Sequence, residues 1–161
     1  MRTLLIPALI SMCAALPVAA QQPDAIGHVQ SAQGSVVVQR DATTVAVTAG
    51  GALYRGDIVR TGRPGSAGIV LLDDTAVSMG PDSALLLSEH VFEPKEAKFK
   101  LVMKMIKGTF VYVSGMLSKL APESIQLSVP DAILSVRGTR LLVEVPEYPT
   151  DCIESCAPAP Q

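Results

Sequence analysis

The sequence predicts an all-β fold, an irregular β-solenoid-like stack of short strands with a β-sandwich as the alternative. The first observation is the rhythm of Leu53 to Leu87, where short apolar runs (Asp57–Arg60, Ala67–Leu72, Ala76–Met79, Ala84–Leu87) alternate with turn clusters. Those clusters, Thr61–Gly65, Asp73–Thr75 and Gly80–Ser83, hold the residues that turn a chain: Gly for positive φ, Pro for a preset φ, Asp and Ser for bonds to their own backbone. Short β-forming runs at this spacing read as strands of an all-β domain. The second observation is the composition: 48% hydrophobic residues with no Trp, three Tyr and three Phe. The core must therefore be aliphatic. The third is that "strand, Gly-centred turn, strand" recurs at Gly34, Gly56, Gly68, Gly108 and Gly138 without a fixed period, which suits stacked rungs of unequal length.

The 161 residues are enough for one domain to bury a core. Charged residues are only 17% and the formal charge is −2. No basic excess exists to neutralise a phosphate backbone, which argues against a nucleic-acid partner. Met1-Arg2, the apolar Leu4–Leu16 and the small residues Val18 and Ala20 read as an export signal (1–20) cleaved after Ala20. The apolar run is shorter than the roughly 20 residues of a spanning helix, so no stable membrane span is expected after cleavage. The expected compartment is exported, with the periplasm the first choice.

Residues 21–33 form a lead and first strand, with Val36–Val38 the strand after Gly34 and Val45/Val47 a half-buried strand. After the central block, Pro94 interrupts the chain. Lys98–Lys107 then alternates Phe99, Leu101, Met103 and Met105 against Lys98, Lys100 and Lys104, a strand with one wet face ended by Gly108-Thr109. Phe110–Val113 is a strand, Met116–Leu120 a helical turn, Ile125–Val129 an alternating strand. Ile133–Val136 and Arg140–Val145 are strands flanking the turn Arg137-Gly138-Thr139. Residues 34–145 make the β-domain and 146–161 a flexible, Pro-rich tail. Cys152 and Cys156 in that tail are close enough to bridge across one helical turn. Free or intermolecular thiols and a metal or redox pair are the other readings, although no further ligand lies nearby for a zinc site.

Catalytic groups are scarce. Asp57, Asp73, Asp74 and Asp82 are candidates for paired acids of a hydrolase or for calcium ligands. Each stands beside Gly, Pro, Ser or Thr, where Asp caps turns, and that simpler reading is taken. His28 and His90 have no nucleophile or metal-ligand motif around them and read as surface or internally satisfied side chains. Arg137 has the geometry to grip an anion but fits a turn-tying role better, and the row Lys98, Lys100, Lys104 and Lys107 is either a solvated face or a contact for anionic polymer. No cofactor and no enzymatic activity are expected.

In order along the chain, Leu53–Gly62 (with Gly56, Asp57 and Thr61), Ala67–Leu72 into Asp73-Asp74-Thr75, Val77–Ser83 with Gly80, Phe110–Gly115, Leu120–Ser124 and Val136-Arg137-Gly138-Thr139 resemble the motifs of the FecR domain family. The usual Asp-Gly-Ser turn is Asp73-Asp74-Thr75 here. The resemblance covers roughly Gly34–Val145. It implies a solenoid-like β-domain used for protein contacts, with Gly56, Asp57, Thr61, Asp74, Gly80, Arg137, Gly138 and Thr139 as motif turn residues. Family members similar to the namesake span the membrane, contact a sigma factor with a cytoplasmic segment and sense an outer-membrane transporter with the exported domain. With an export signal in place of a cytoplasmic segment, sigma-factor regulation is not carried over. The expectation is a protein-interaction or scaffold module whose partner is an envelope protein. A periplasmic module for an anionic glycan or small ligand is the alternative.

Overall fold

The computed structural model describes residues 24–147 apart from Arg137 and Thr139. The export signal, Cys152 and Cys156, Arg137 and Thr139 therefore lie outside the described residues. Ten strands and one short helix follow in order: β1 (Gly27–Arg40), β2 (Thr43–Ala46), β3 (Ala52–Leu53), β4 (Ile58–Leu71), β5 (Ala76–Met79), β6 (Ala84–Glu93), β7 (Lys98–Val113), α1 (Leu117–Leu120), β8 (Ile125–Val129), β9 (Ala132–Leu134) and β10 (Arg140–Val145). No helix among the described residues is long and apolar enough to cross a membrane.

The protein is all-β, as the alternation predicted. Its pairings describe a β-barrel core with extra strands; neither the irregular solenoid-like stack nor the sandwich expected from sequence is confirmed by them. The core is a closed circuit. The first part of β4 pairs with β6 and its last part with β5. The first part of β7 pairs with the same β6 and its last part with the same β5. On their other sides β4 carries β1, and β7 carries β8 and then β10. All pairs are antiparallel except β7–β8.

Two long strands make this possible, and both were expected to be broken. The Thr61–Gly65 cluster is not a turn but an irregularity within β4: the register with β1 jumps between Gly34↔Gly65 and Val36↔Thr61. Three residues of β4 bulge against one of β1, which bends the strand without ending it. Gly108, expected to end a strand, sits inside β7 at φ +102°, and a side chain there would run into Ser83. Glycine lets two strands touch at that point. β1 likewise runs through Gly34, across the 33/34 boundary set from sequence. β2, expected to be half buried through Val45, is exposed throughout.

The inward face of the barrel carries Val59, Ile69, Val77, Leu85, Leu87, Leu101, Met103, Met105 and Phe110, each at most 1% exposed. Period-two burial of Leu101, Met103 and Met105 matches the alternation in the sequence, with Lys98, Lys100 and Lys104 outward. Each fully buried side chain of this size contributes about 1.5–3 kcal/mol relative to exposure. Aliphatic filling replaces the missing aromatic mass.

Candidate functional site

The turn Tyr54–Asp57 between β3 and β4 is built by its carboxylate. Asp57 is fully buried. It accepts the Tyr54 N–H at 2.9 Å and takes two parallel hydrogen bonds from Arg40, Nε to Oδ1 and Nη2 to Oδ2, both at 2.7 Å. The Arg40 guanidinium lies over the Tyr54 ring, 4.2 Å from its centroid. Hydrogen bonding to Asp57 holds the Arg40 pKa above its ordinary value against the opposing effect of burial. A planar cation with two fixed bonds and a stacked face is an ordered group.

Thr61, four residues on, pins β4 to the next turn. Its hydroxyl donates to the Gly80 carbonyl at 2.7 Å and accepts the Ser83 N–H at 2.9 Å. Gly56 donates its N–H to the Leu87 carbonyl at 2.7 Å. The motif residues Gly56, Asp57, Thr61 and Gly80 thus tie the ends of β4, β5 and β6 together. Asp74 is exposed at φ +63° in the β4–β5 turn, and Gly138 is exposed at φ +60° between β9 and β10. Asp82 turns the chain at φ +53° and faces Lys107 and Arg63, each at 2.9 Å. Hydrogen bonding from Lys107, with help from Arg63, keeps its carboxyl below the usual range. Lys98 pairs with Glu96 and Lys100 with Glu89. The lysine row is therefore largely matched by acids, and His28 is exposed at the surface.

The least expected arrangement is a polar centre inside the barrel. Asp73 Oδ1 lies 3.1 Å from His90 Nε2, and its Oδ2 accepts the Thr75 hydroxyl at 2.6 Å. Thr75 Oγ1 in turn accepts the Gly115 N–H at 3.2 Å. Burial pushes the Asp73 pKa up, but hydrogen bonds from His90 and Thr75 outweigh it and leave the carboxyl below its ordinary value. The Tyr112 hydroxyl lies beside Thr75 yet makes no hydrogen bond of ordinary geometry among the described residues. Burial pushes its pKa up to about 12.

His90 is inward for a specific reason. Leu85 and Leu87 of β6 point into the barrel, and period two would send Glu89 in next. The register of β6 on β7 shifts between Leu87 and Glu89. That slip of one residue turns Glu89 outward and His90 inward. Sequence reasoning treated Asp73 as a turn cap and His90 as satisfied or superficial. It missed that the two partner each other, and it missed Arg40 altogether. A histidine one step out of phase in an apolar strand was the available signal.

His90 also reaches the wall of a cleft of about 820 Å³. The lead Asp24–Ile26, Arg40 and Asp41, the β3–β4 turn at Tyr54–Gly56, Leu72 and His90–Glu93 of β6 line it. The Thr75 hydroxyl nearest the dyad is itself buried and engaged with Asp73. The arrangement ties the β4–β5 turn to β6 and to Gly115.

A family model described as FecR protein matches residues 57–152. The chain belongs to the FecR family. Comparison with curated proteins and with solved structures gives no match. The FecR match starts at Asp57 and takes in Thr61, Asp74, Gly80 and Gly138. Arg40, Tyr54 and the lead that walls the cleft stand before it. In this FecR chain the family-motif turns build the barrel, and the preceding strands add the clasp on Asp57.

Proposed function

We propose that this FecR chain is a non-enzymatic, exported protein-interaction or scaffold module of the bacterial cell envelope, placed in the periplasm. The observation that carries the reading is the state of the sheet's margins. Among the described residues β2, β9 and β10 each pair along one side only. Each exposes a large apolar side chain: Val45 at 53%, Ile133 at 67% and Leu142 at 69%. Edge strands are ordinarily blunted with charge or proline, and an open edge with outward apolar groups is a template for another chain. FecR domains occur in envelope-associated sigma regulators, and the family is not known for enzymatic chemistry. Both facts support a contact role. The alternative, an anionic glycan or small ligand on the lysine row, draws less support because Lys98, Lys100 and Lys107 are paired with acids.

Crosslinking in intact cells with a tagged full-length chain tests the reading. One dominant envelope protein, lost when the fold is disrupted by a Leu87→Asp control, is the expected result. Recovery of the chain only from cytoplasm would overturn the compartment. A blank crosslinking result would return weight to a small ligand.

A further inference from the structure

The interaction reading leaves open where a partner sits, and the cleft beside β6 narrows it. The cleft touches four consecutive residues, His90 to Glu93. Successive side chains of a strand point to opposite faces, so a cleft that touches all four runs along the strand's edge. That edge is open. On the side facing β4, β6 is covered only as far as Leu87, whose N–H reaches the Asp57 carbonyl at 2.9 Å and whose carbonyl takes the Gly56 N–H at 2.7 Å. Among the described residues no backbone group bonds that side of Ser88–Glu93, while the other side pairs with β7 out to Glu93↔Lys98.

The rest of the lining is already fixed. Tyr54–Gly56 is held by the Arg40–Asp57 clasp. The lead is stitched down by Ile26 N–H to the Leu53 carbonyl at 2.8 Å and Leu72 N–H to the Ile26 carbonyl at 3.0 Å. The His90–Asp73 bond anchors the β6 side to the barrel interior. Ile26, Leu72 and Phe92 give the cleft an apolar lining. Its charge is one-sided. Asp24, Asp41 and Glu93 line it without an ion pair among the described residues, Arg40 is committed to Asp57, and Arg55 is the single cation there without one. Three carboxylates against one guanidinium free of an ion pair give the lining a net negative balance over apolar surface.

We infer that the open edge of β6 at Ser88–Glu93 is a docking site for an extended, basic peptide segment of the partner, which adds as a strand and alternates apolar and Lys/Arg side chains. This rests on the interaction reading and specifies its site. At about 3.4 Å per residue, the open edge accommodates roughly six residues of peptide. Main-chain bonds along β6 give affinity, and the carboxylates select the charge.

The test uses the full chain and a fluorescent octapeptide of alternating Val and Lys. Two control peptides accompany it: one with Glu replacing Lys, and one with alternate backbone nitrogens methylated so that charge is kept and strand pairing is blocked. Binding of the Val/Lys peptide, with amide shifts at Val91–Glu93, is expected. Both controls should bind at least tenfold more weakly. Asp41→Asn, which keeps a side chain suited to the positive φ there, and Glu93→Lys, at an exposed strand position, should each weaken binding at least threefold without loss of fold in the melt. Equal binding of the methylated peptide, or shifts confined to β10, would overturn the site. A photocrosslinker placed at Phe92 and, separately, at Leu142 in cells separates the two readings. A partner captured only from Leu142 removes the cleft and keeps the interaction module. No adduct at either position removes the module and this site with it.

Discussion

Asp73 and His90 meet inside the barrel, 3.1 Å between Oδ1 and Nε2, with side chains 0% and 2% exposed. This joins the β4–β5 turn to β6 by a buried bond. The Asp73 carboxyl is held below its ordinary value in the folded chain. Its contribution to stability is therefore fully present above the unfolded carboxylate value near 3.9 and is lost as pH falls through the lower folded value. Urea melts across pH should show stability declining from about pH 5 downward. Asp73→Asn should be less stable at pH 7 and show a shallower decline below pH 5. An equal slope in the two proteins would show that the acid sensitivity comes from elsewhere.

Removing Arg40 strands a buried charge. Breaking a buried pair typically costs about 3–5 kcal/mol, but the Arg40 side chain is 42% exposed, so water replaces part of what is lost. Arg40→Ala should cost roughly 2 kcal/mol, read as a lower urea midpoint at unchanged slope. Arg40→Lys should recover part of it, because charge returns without the two-pronged geometry or the ring stacking. Full recovery by lysine would mean that charge alone matters at this turn.

The two glycines Gly108 and Gly138 should separate cleanly. Both have positive φ, but a side chain at Gly108 meets Ser83, whereas among the described residues beyond its chain neighbours nothing lies within 4 Å of one at Gly138. Gly108→Ala should cost about 3 kcal/mol, strain plus overpacking. Gly138→Ala should cost about 1 kcal/mol, strain alone. Paired chemical melts check the order, and the reverse order would show that the β9–β10 turn is packed rather than open.

Tyr112→Phe should be neutral or stabilising by up to about 1 kcal/mol, contrary to the usual loss from deleting a buried hydroxyl. The Tyr112 oxygen is buried without a hydrogen bond among the described residues, so its removal relieves a desolvation cost. A loss of 1 kcal/mol or more in the melt would show that the hydroxyl is bonded in solution.

Local chemistry was readable from the chain; long-range pairing was not. Leu101, Met103 and Met105 announced their inward face because strand alternation is local. Gly56, Asp57, Thr61 and Gly80 stood out because turns demand those residue types. The Thr61–Gly65 cluster misled, since Gly and Pro serve a bulge as readily as a turn. Only the partner strand β1 decides which. Asp57 with Arg40 and Asp73 with His90 are each 17 residues apart, a distance at which sequence carries no sign of contact. His90 was hidden further by the one-residue slip in β6, which falsifies simple period-two counting.

The position of β7 has a consequence for how the chain comes to be folded. This one strand pairs with β5, β6, β8 and β10. Until the chain up to residue 113 is in place, β4 is the only strand among the described residues that pairs with both β5 and β6, and the circuit stays open. Residues 24–97 alone make a sheet with bare margins and a half-covered apolar face, the condition in which incompletely folded chains aggregate or are captured by a chaperone. Closure then comes late and in one step, through contacts distant in sequence, which marks the protein as a slow folder. A fragment ending at Ala97 should be insoluble when made alone and should be rescued by co-expression of the remainder.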